Sequence, residues 1–342
     1  MFSSQVKQIN KDLAKKGRAI VSIGCSFVQG QGAINDEIFD NYTFKNNNLG
    51  EVLSLQANDK EIKQILNLYP SLSVNHSNKI DFTMMEYENS FVYQLANHQY
   101  KEKYVPINLG QRGCGNRASI KELYFNNINW NFCKEIIVIY CPSGMERFDF
   151  AQDQSTEHFR WVCMWPNDLP ESDGPRKKLW DGYKESVYSD KHAIIEQIAH
   201  VQELLTWCNA HNAKLIITPA FDRRYDKEYF QNELAMHVDR HGGNALGEYR
   251  NKRMLEPKNL FVDYYLEMWP WDKMFYPYGF ETFADLAINQ EPNIEDKRET
   301  YWQFQGNRSP LGYITACSHP GQKAHALFAS ALAKHIKELK NG

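Results

Sequence analysis

The sequence predicts an α/β protein, a three-layer α/β/α sandwich whose mainly parallel sheet carries large insertions. Four short runs, Ala19–Ile23, Val105–Leu109, Glu135–Tyr140 and Lys214–Pro219, have the β-branched, apolar content of strands buried on both faces. Helical segments fall between them, and strands alternating with helices form parallel sheets covered by helices on each side. The first three strands also end in turns that hold glycine or serine. Open α/β sheets place their ligands at that carboxyl edge.

The first strand stops at Gly24, and Cys25-Ser26-Phe27-Val28-Gln29-Gly30 follows it. Glycine permits the sharp exit of a strand-to-helix turn, and Ser26 then stands at the sheet edge, either as a helix-capping serine or as a nucleophile. The polar stretch at about 34–88 reads as a first insertion. A helix at Phe91–His98 leads to the second strand, which runs into Gly110-Gln111-Arg112-Gly113-Cys114-Gly115-Asn116. That segment is an ordinary βα turn or a backbone approach to a ligand. Helix Ala118–Asn126 precedes the third strand, which ends in Cys141-Pro142-Ser143-Gly144.

A second insertion is expected at about 147–185, where Trp161, Trp165 and Trp180 lie among proline, aspartate and glycine. Ile194, Ile198, Val201, Leu205 and Cys208 then form one apolar stripe of a long helix. The third insertion, about 222–315, is dense in aromatics, with Tyr264, Tyr265, Trp269, Trp271, Phe275, Tyr276, Tyr278, Phe280 and Phe283 close together. Such density forms either a stacking surface for sugars or the core of a cap. Ser318-His319-Pro320-Gly321 opens the terminal helix Gln322–Leu339, with Leu327, Phe328, Leu332 and Ile336 as its apolar face. A histidine at that junction can reach the carboxyl edge of the sheet.

At 342 residues the chain suits one large domain, 1–342, that accommodates these insertions. Its 39 lysines and arginines against 42 acidic residues leave a net charge of −3, without the basic footprint of a nucleic-acid binder. The 7 cysteines are scattered without a C-x-x-C pair, which argues against a disulfide framework and a zinc ribbon. His237 and His241 are spaced for one helix face, but Asp239 would point away from them, so an exposed pair is expected and no metal. Residues Met1 to Arg18 have no apolar core of a signal peptide, and no run is long enough to span a membrane. A cytoplasmic location is expected, and a virion component released by lysis would look the same.

Taken in order, Gly24-Cys25-Ser26-Phe27-Val28-Gln29-Gly30, Asn108-Leu109-Gly110-Gln111-Arg112-Gly113 and Ser318-His319-Pro320 resemble the three blocks of the SGNH, or GDSL-like, serine hydrolases. Cysteine stands where that family usually has its name-giving aspartate, a variant associated with bacterial and phage members. The resemblance implies a flavodoxin-like fold and no cofactor, with Ser26 as nucleophile, His319 as base and Gly113 as an oxyanion N–H donor. His325, inside the terminal helix, is not expected to be the base. The family's asparagine after the third strand is missing from Cys141-Pro142-Ser143-Gly144, so Asn116 or Ser143 would replace it. Its usual acid is also missing, because Ala316 stands three residues before His319. A Ser-His dyad is then expected, with the histidine Nδ1–H held by a backbone carbonyl or by a carboxylate such as Asp263, Asp272 or Asp285. The implied activity is that of an esterase on an O-acyl group, most naturally an O-acetyl group of a carbohydrate. The alternatives are a non-catalytic binding or structural protein, such as a phage could encode, on a degenerate form of this fold, and an acyltransferase using the same serine.

Overall fold

The computed structural model describes residues 3–31, 33–35, 38, 43–46, 53–56, 59–69, 72–74, 80–111, 113–155, 158–164, 174–186, 188–238, 253–255, 260–292, 309–315 and 318–341. Its sheet has four strands, β1 (Arg18–Gly24), β2 (Val105–Asn108), β3 (Glu135–Cys141) and β4 (Ala213–Ile217), in the order β4-β3-β1-β2. All pairings are parallel, with Ala19 opposite both Val105 and Ile136, and Leu215 opposite Val138. A parallel bridge from Ile217 to Met274 continues the sheet by one residue beyond β4.

Alternation along the strands divides the core between the two faces. Ala19, Val21 and Ile23 of β1 join Val138 and Tyr140 of β3 in one cluster, whereas Ile20 joins Ile137 and Ile139 in another. Both sets are buried, so the strands are apolar throughout and the sheet needs a helical layer on each side. The three-layer α/β/α arrangement predicted from the sequence is the observed one.

On one face lie α1 (Ser3–Lys16), α6 (Asn116–Phe125) and α8 (Asp190–Ala210), whose Leu13, Ile120 and Ile198 enter the first cluster. Helix α1 was not legible in the sequence, where only its polar character stood out. Leu13 is the one fully buried position among the residues of α1 whose burial is described, and Lys15 and Lys16 sit in its last turn, favourably placed against the helix dipole. Gly17, at φ 64°, ends it. In α8 the Ser189 hydroxyl caps the N-terminus by accepting the His192 N–H at 3.0 Å. Its buried stripe passes through Leu204 and Trp207, and Leu205 is only partly buried.

The other face is covered by α5 (Phe91–Gln94), α11 (Phe283–Ile288) and α12 (Gln322–Asn341). Phe91 packs edge-on against Phe328 at 4.8 Å, and Phe283 stacks on Phe328 at 4.4 Å. In the aromatic-rich region Trp269 and Phe283 are core, and Tyr265, Trp271, Phe275 and Phe280 are partly buried against it. Trp269 is buried against Tyr225 and Phe230, with Phe230 on α9 (Lys227–Ala235), while α10 (Leu260–Met268) contributes Val262 and Leu266. Tyr264, Tyr276 and Tyr278 remain exposed.

Within the other insertions, α3 (Asp59–Leu68) and α4 (Thr83–Asn89) enclose a small separate cluster of Ile34, Ile38, Ile65, Leu72, Phe82 and Met85. The second insertion holds an antiparallel hairpin, Phe148–Ser155 with His158–Met164, and α7 (Gly174–Ser186). His237 lies on the short strand Met236–Val238 rather than on a helix, and His241 is outside the described residues. Among the described residues no helix is long and apolar enough to cross a membrane.

Strand β2 is the free edge of the sheet, and Tyr87 of α4 closes it. The Tyr87 hydroxyl donates to the Pro106 carbonyl at 2.8 Å, and the Asn108 backbone N–H points at the same hydroxyl. Burial pushes the Tyr87 phenol far above its usual pKa.

His325 of α12 is fully buried between the aromatic rings of Phe91 and Phe283, and its Nδ1 accepts the Phe91 N–H at 3.1 Å. Burial pulls its pKa down to about 3, and the neighbouring His319 adds to the effect. The folded state thus refuses a proton that the unfolded chain accepts below about 6.5. The neutral imidazole contributes its full stability above that pH, and the contribution is lost as pH falls toward 3. Wild-type stability in urea should fall between pH 6.5 and 5 by up to about 1.4 kcal/mol per pH unit from this group. His325→Gln should flatten that interval, and an unchanged slope would remove the assignment.

Candidate active site

The turn after β1 forms the first half of the site. Gly24 has φ 153°, and a Cβ there would lie 2.4 Å from Val28 Cγ2 and 2.6 Å from the Cys141 carbonyl oxygen. Without a side chain at Gly24, the strand passes directly into α2 (Ser26–Gln29). The Val28 and Gln29 N–H groups close that turn on the Cys25 carbonyl at 3.0 and 3.1 Å. Gly30, at φ 87°, ends it, and a Cβ there would meet the Glu86 carbonyl at 2.7 Å. Ser26 is the first helical residue, so its own N–H has no acceptor within the helix.

Asn108, at the end of β2, clamps this turn from the side. Its Oδ1 accepts the Ser22 hydroxyl at 3.3 Å and the Gly110 N–H at 3.0 Å, while Nδ2 donates to the Val28 and Gln29 carbonyls at 3.0 and 3.3 Å. The clamp satisfies the buried hydroxyl of Ser22 and two carbonyls at the end of α2. Gly110 allows the close approach, because a Cβ there would lie 2.5 Å from the Gln29 nitrogen.

The second half is the loop before α12. Ile314 and Pro320 form an antiparallel bridge, the Thr315 N–H donates to the His319 carbonyl at 2.8 Å, and the Gly321 N–H donates to the Tyr313 carbonyl at 2.7 Å. The His319 N–H reaches Thr315 Oγ1 at 3.2 Å, so both backbone groups of the histidine are held by one residue. Ser318 occupies the left-handed region at φ 60° to complete the turn. His319 Nε2 lies 2.7 Å from Ser26 Oγ, and the two side chains are 9% and 5% exposed. The Phe27 ring lies 4.9 Å from the imidazole and 5.1 Å from Phe221, forming an apolar wall beside the pair.

The sequence offers Gly113, Asn116 and Ser143 as oxyanion donors, and their positions differ in character. Gly113 has φ 63° and open space where a Cβ would lie. Asn116 and Ser143 are both buried and bonded to each other. Asn116 Oδ1 accepts the Ser143 N–H at 2.7 Å and its hydroxyl at 3.2 Å, while Nδ2 donates to the Ser143 carbonyl at 3.3 Å and to the Tyr225 hydroxyl at 2.7 Å. Both amide hydrogens of Asn116 and the hydroxyl hydrogen of Ser143 are thereby used. These side chains join the loops after β2 and β3. Asp149 supports the same corner, accepting the Gly115 and Ala118 N–H groups at 2.9 and 3.0 Å at the start of α6. A Cβ on Gly115 would lie 2.4 Å from that carboxylate.

Ala316 lies outside the described residues. Of the carboxylates considered as substitutes, Asp285 is engaged by the Arg223 guanidinium and by the Thr282 hydroxyl, Asp272 pairs with Lys273, and Asp263 is exposed on α10. His325 is separated in role from His319, because its Nδ1 is already occupied by a backbone N–H in the core. Among the described residues there is no group of three or more histidine, cysteine, aspartate or glutamate side chains arranged to hold a metal ion. A cavity of about 700 Å³ runs along β2 and is lined by residues such as Gln29, Tyr87, Pro106 and Gln111.

The sequence marked Asn108 only as the first residue of its second block and Asn116 only as an oxyanion candidate, so the clamping role of the one and the loop-joining role of the other had no local signal. Asn108→Ala should lower stability by about 2–3 kcal/mol by leaving Ser22 and the α2 carbonyls unpaired. Urea unfolding measures this, and a loss below about 0.5 kcal/mol would show that water replaces the clamp. Compared with family models and with curated protein sequences, the chain matches none.

Proposed function

We propose that the protein is a serine esterase of the SGNH type, with Ser26 as nucleophile and His319 as base. The observation that carries this reading is the 2.7 Å contact between Ser26 Oγ and His319 Nε2 at the carboxyl edge of a parallel sheet. A serine hydroxyl is a weak nucleophile until a neighbouring imidazole takes its proton. Nε2 accepts that proton as Oγ attacks the ester carbonyl, and the resulting tetrahedral oxyanion needs positioned N–H donors. The backbone N–H groups of Ser26 and Gly113 are the proposed donors, in place of Asn116 and Ser143. The imidazolium then protonates the leaving alkoxide, leaving an acyl-serine. Water, deprotonated by the same Nε2, releases the acid and restores Ser26.

The proposed substrate is an O-acylated carbohydrate. Phe275 donates its N–H to the Ile217 carbonyl at 2.8 Å and accepts from the Thr218 hydroxyl at 2.8 Å, so Tyr276 and Tyr278 follow directly on the carboxyl end of β4. Both rings are exposed, and tyrosine pairs an apolar face with a polar edge suited to a sugar.

Ser26→Ala and His319→Ala should each reduce p-nitrophenyl acetate hydrolysis by at least about a thousandfold with little change in Tm. A fluorophosphonate probe should label wild-type Ser26. Wild-type protein that neither labels nor hydrolyses simple esters would favour a binding role for the fold. Tyr278→Ala should raise KM for an acetylated oligosaccharide and leave p-nitrophenyl acetate unaffected; equal effects on both would remove the carbohydrate assignment.

A further inference from the structure

Glu291, three residues beyond α11, is a buried carboxylate outside the Ser26–His319 pair, with 2% exposure. Its Oε1 accepts the Ser309 hydroxyl at 2.5 Å and the Tyr313 N–H at 2.8 Å, and its Oε2 accepts the Leu311 N–H at 2.8 Å. No lysine, arginine or histidine among the described residues forms an ion pair with it. Burying a carboxylate is costly unless donors satisfy its oxygens, and these three hold it in a defined geometry.

Those donors all belong to one turn. Ser309 Oγ also accepts the Ile314 N–H at 2.8 Å, the Ser309 N–H donates to the Ile314 carbonyl at 3.0 Å, and the Gly312 N–H donates to the Ser309 carbonyl at 3.0 Å. Thr315 comes directly after this turn and holds both the N–H and the carbonyl of His319. At its other end Glu291 is anchored to the sheet, since α11 begins with Phe283 and Ala284 donating to the Pro219 and Ala220 carbonyls at 2.9 Å each. The Glu291 N–H closes back on the Ile288 carbonyl at 3.1 Å. A path of hydrogen bonds and short stretches of chain therefore leads from the segment after β4 through Glu291 and the 309–314 turn to Thr315 and the histidine backbone.

We infer that Glu291 is a positioning residue for His319, fixing the 309–315 turn from which the imidazole is set against Ser26. The inference rests on the esterase reading above. It goes beyond that reading by assigning a buried acid a role at the base without contact to substrate or imidazole. Glutamine at this position keeps one acceptor oxygen and turns an amide toward N–H donors. The turn then shifts, and proton transfer from Ser26 loses alignment. A displacement near 1 Å at a reacting pair lowers turnover by roughly a hundredfold.

The test compares wild type with Glu291→Gln, measuring the rate of fluorophosphonate labelling of Ser26, kcat and KM for p-nitrophenyl acetate, and the pH–rate profile. Expected are a ten- to hundredfold fall in both labelling rate and kcat, an unchanged KM, and a displaced ascending limb in the pH profile. Folding is checked by near-ultraviolet circular dichroism, and rates are expressed per folded molecule. If Glu291→Gln does not fold, Ser309→Ala replaces it, with a labelling rate expected to fall at least threefold. Labelling and pH profile equal to wild type in the folded variant overturn the assignment while leaving the esterase reading intact. Wild-type protein that does not label overturns both.

Discussion

The sharp passage from β1 into α2 is the constraint on which the rest of the site depends. Gly24 admits Val28 and the Cys141 carbonyl into space that a side chain would fill, and this places Ser26 immediately above the sheet. Nothing else in the turn is left to its own propensity, because four residues are too few to form a stable helix alone. Asn108 supplies what the short helix lacks by bonding its last carbonyls and tying them to the neighbouring strand. The position of Ser26 is thus rigid because two parallel strands are rigid, and its local sequence matters chiefly through what it omits.

The partner histidine comes from 293 residues further along the chain, so its placement relies on tertiary packing alone. Two devices hold that end. The loop before α12 is closed by paired backbone bonds, and α12 itself is keyed to α5 through His325, whose neutral ring accepts the Phe91 N–H. Both rely on uncharged groups or backbone donors. Directional hydrogen bonds in a dry interior specify one arrangement strongly, because breaking any of them leaves a polar group without a partner.

The fold was largely legible in the sequence, since four β-branched runs separated by helices leave few arrangements open, and the observed strands coincide with those runs. The pairing of Ser26 with His319 was legible only through the order of three short blocks, as neither residue is distinctive by itself. What escaped were features set by long-range contacts. Asn116 looked like a free donor, yet Ser143 and Tyr225 saturate it, and Tyr225 lies 109 positions away. Helix α1 has few apolar positions because one face rests on the sheet and the rest meets solvent, so periodicity gave it little weight. Leu204 is fully buried and Leu205 only partly, because the α8 stripe advances by three residues there instead of four. The aromatic-rich region read as core ahead of a stacking platform, and Trp269 and Phe283 do lie in the core, while Tyr276 and Tyr278 are exposed.

The closed edge at β2 has a bearing on how the molecule behaves in a crowd of its own copies. An outermost strand ordinarily presents a row of free donors and acceptors that templates the addition of another chain, a route to ordered aggregation. Here Pro106 offers no N–H, and a single phenol occupies the carbonyl and the amide that an incoming strand would need. An intruding chain must first displace this partly buried tyrosine before it gains its first pair of bonds. The seal lets a sheet of four strands end without a fifth on that side, and it protects the protein from polymerising through the strand whose Asn108 clamps the Ser26 turn.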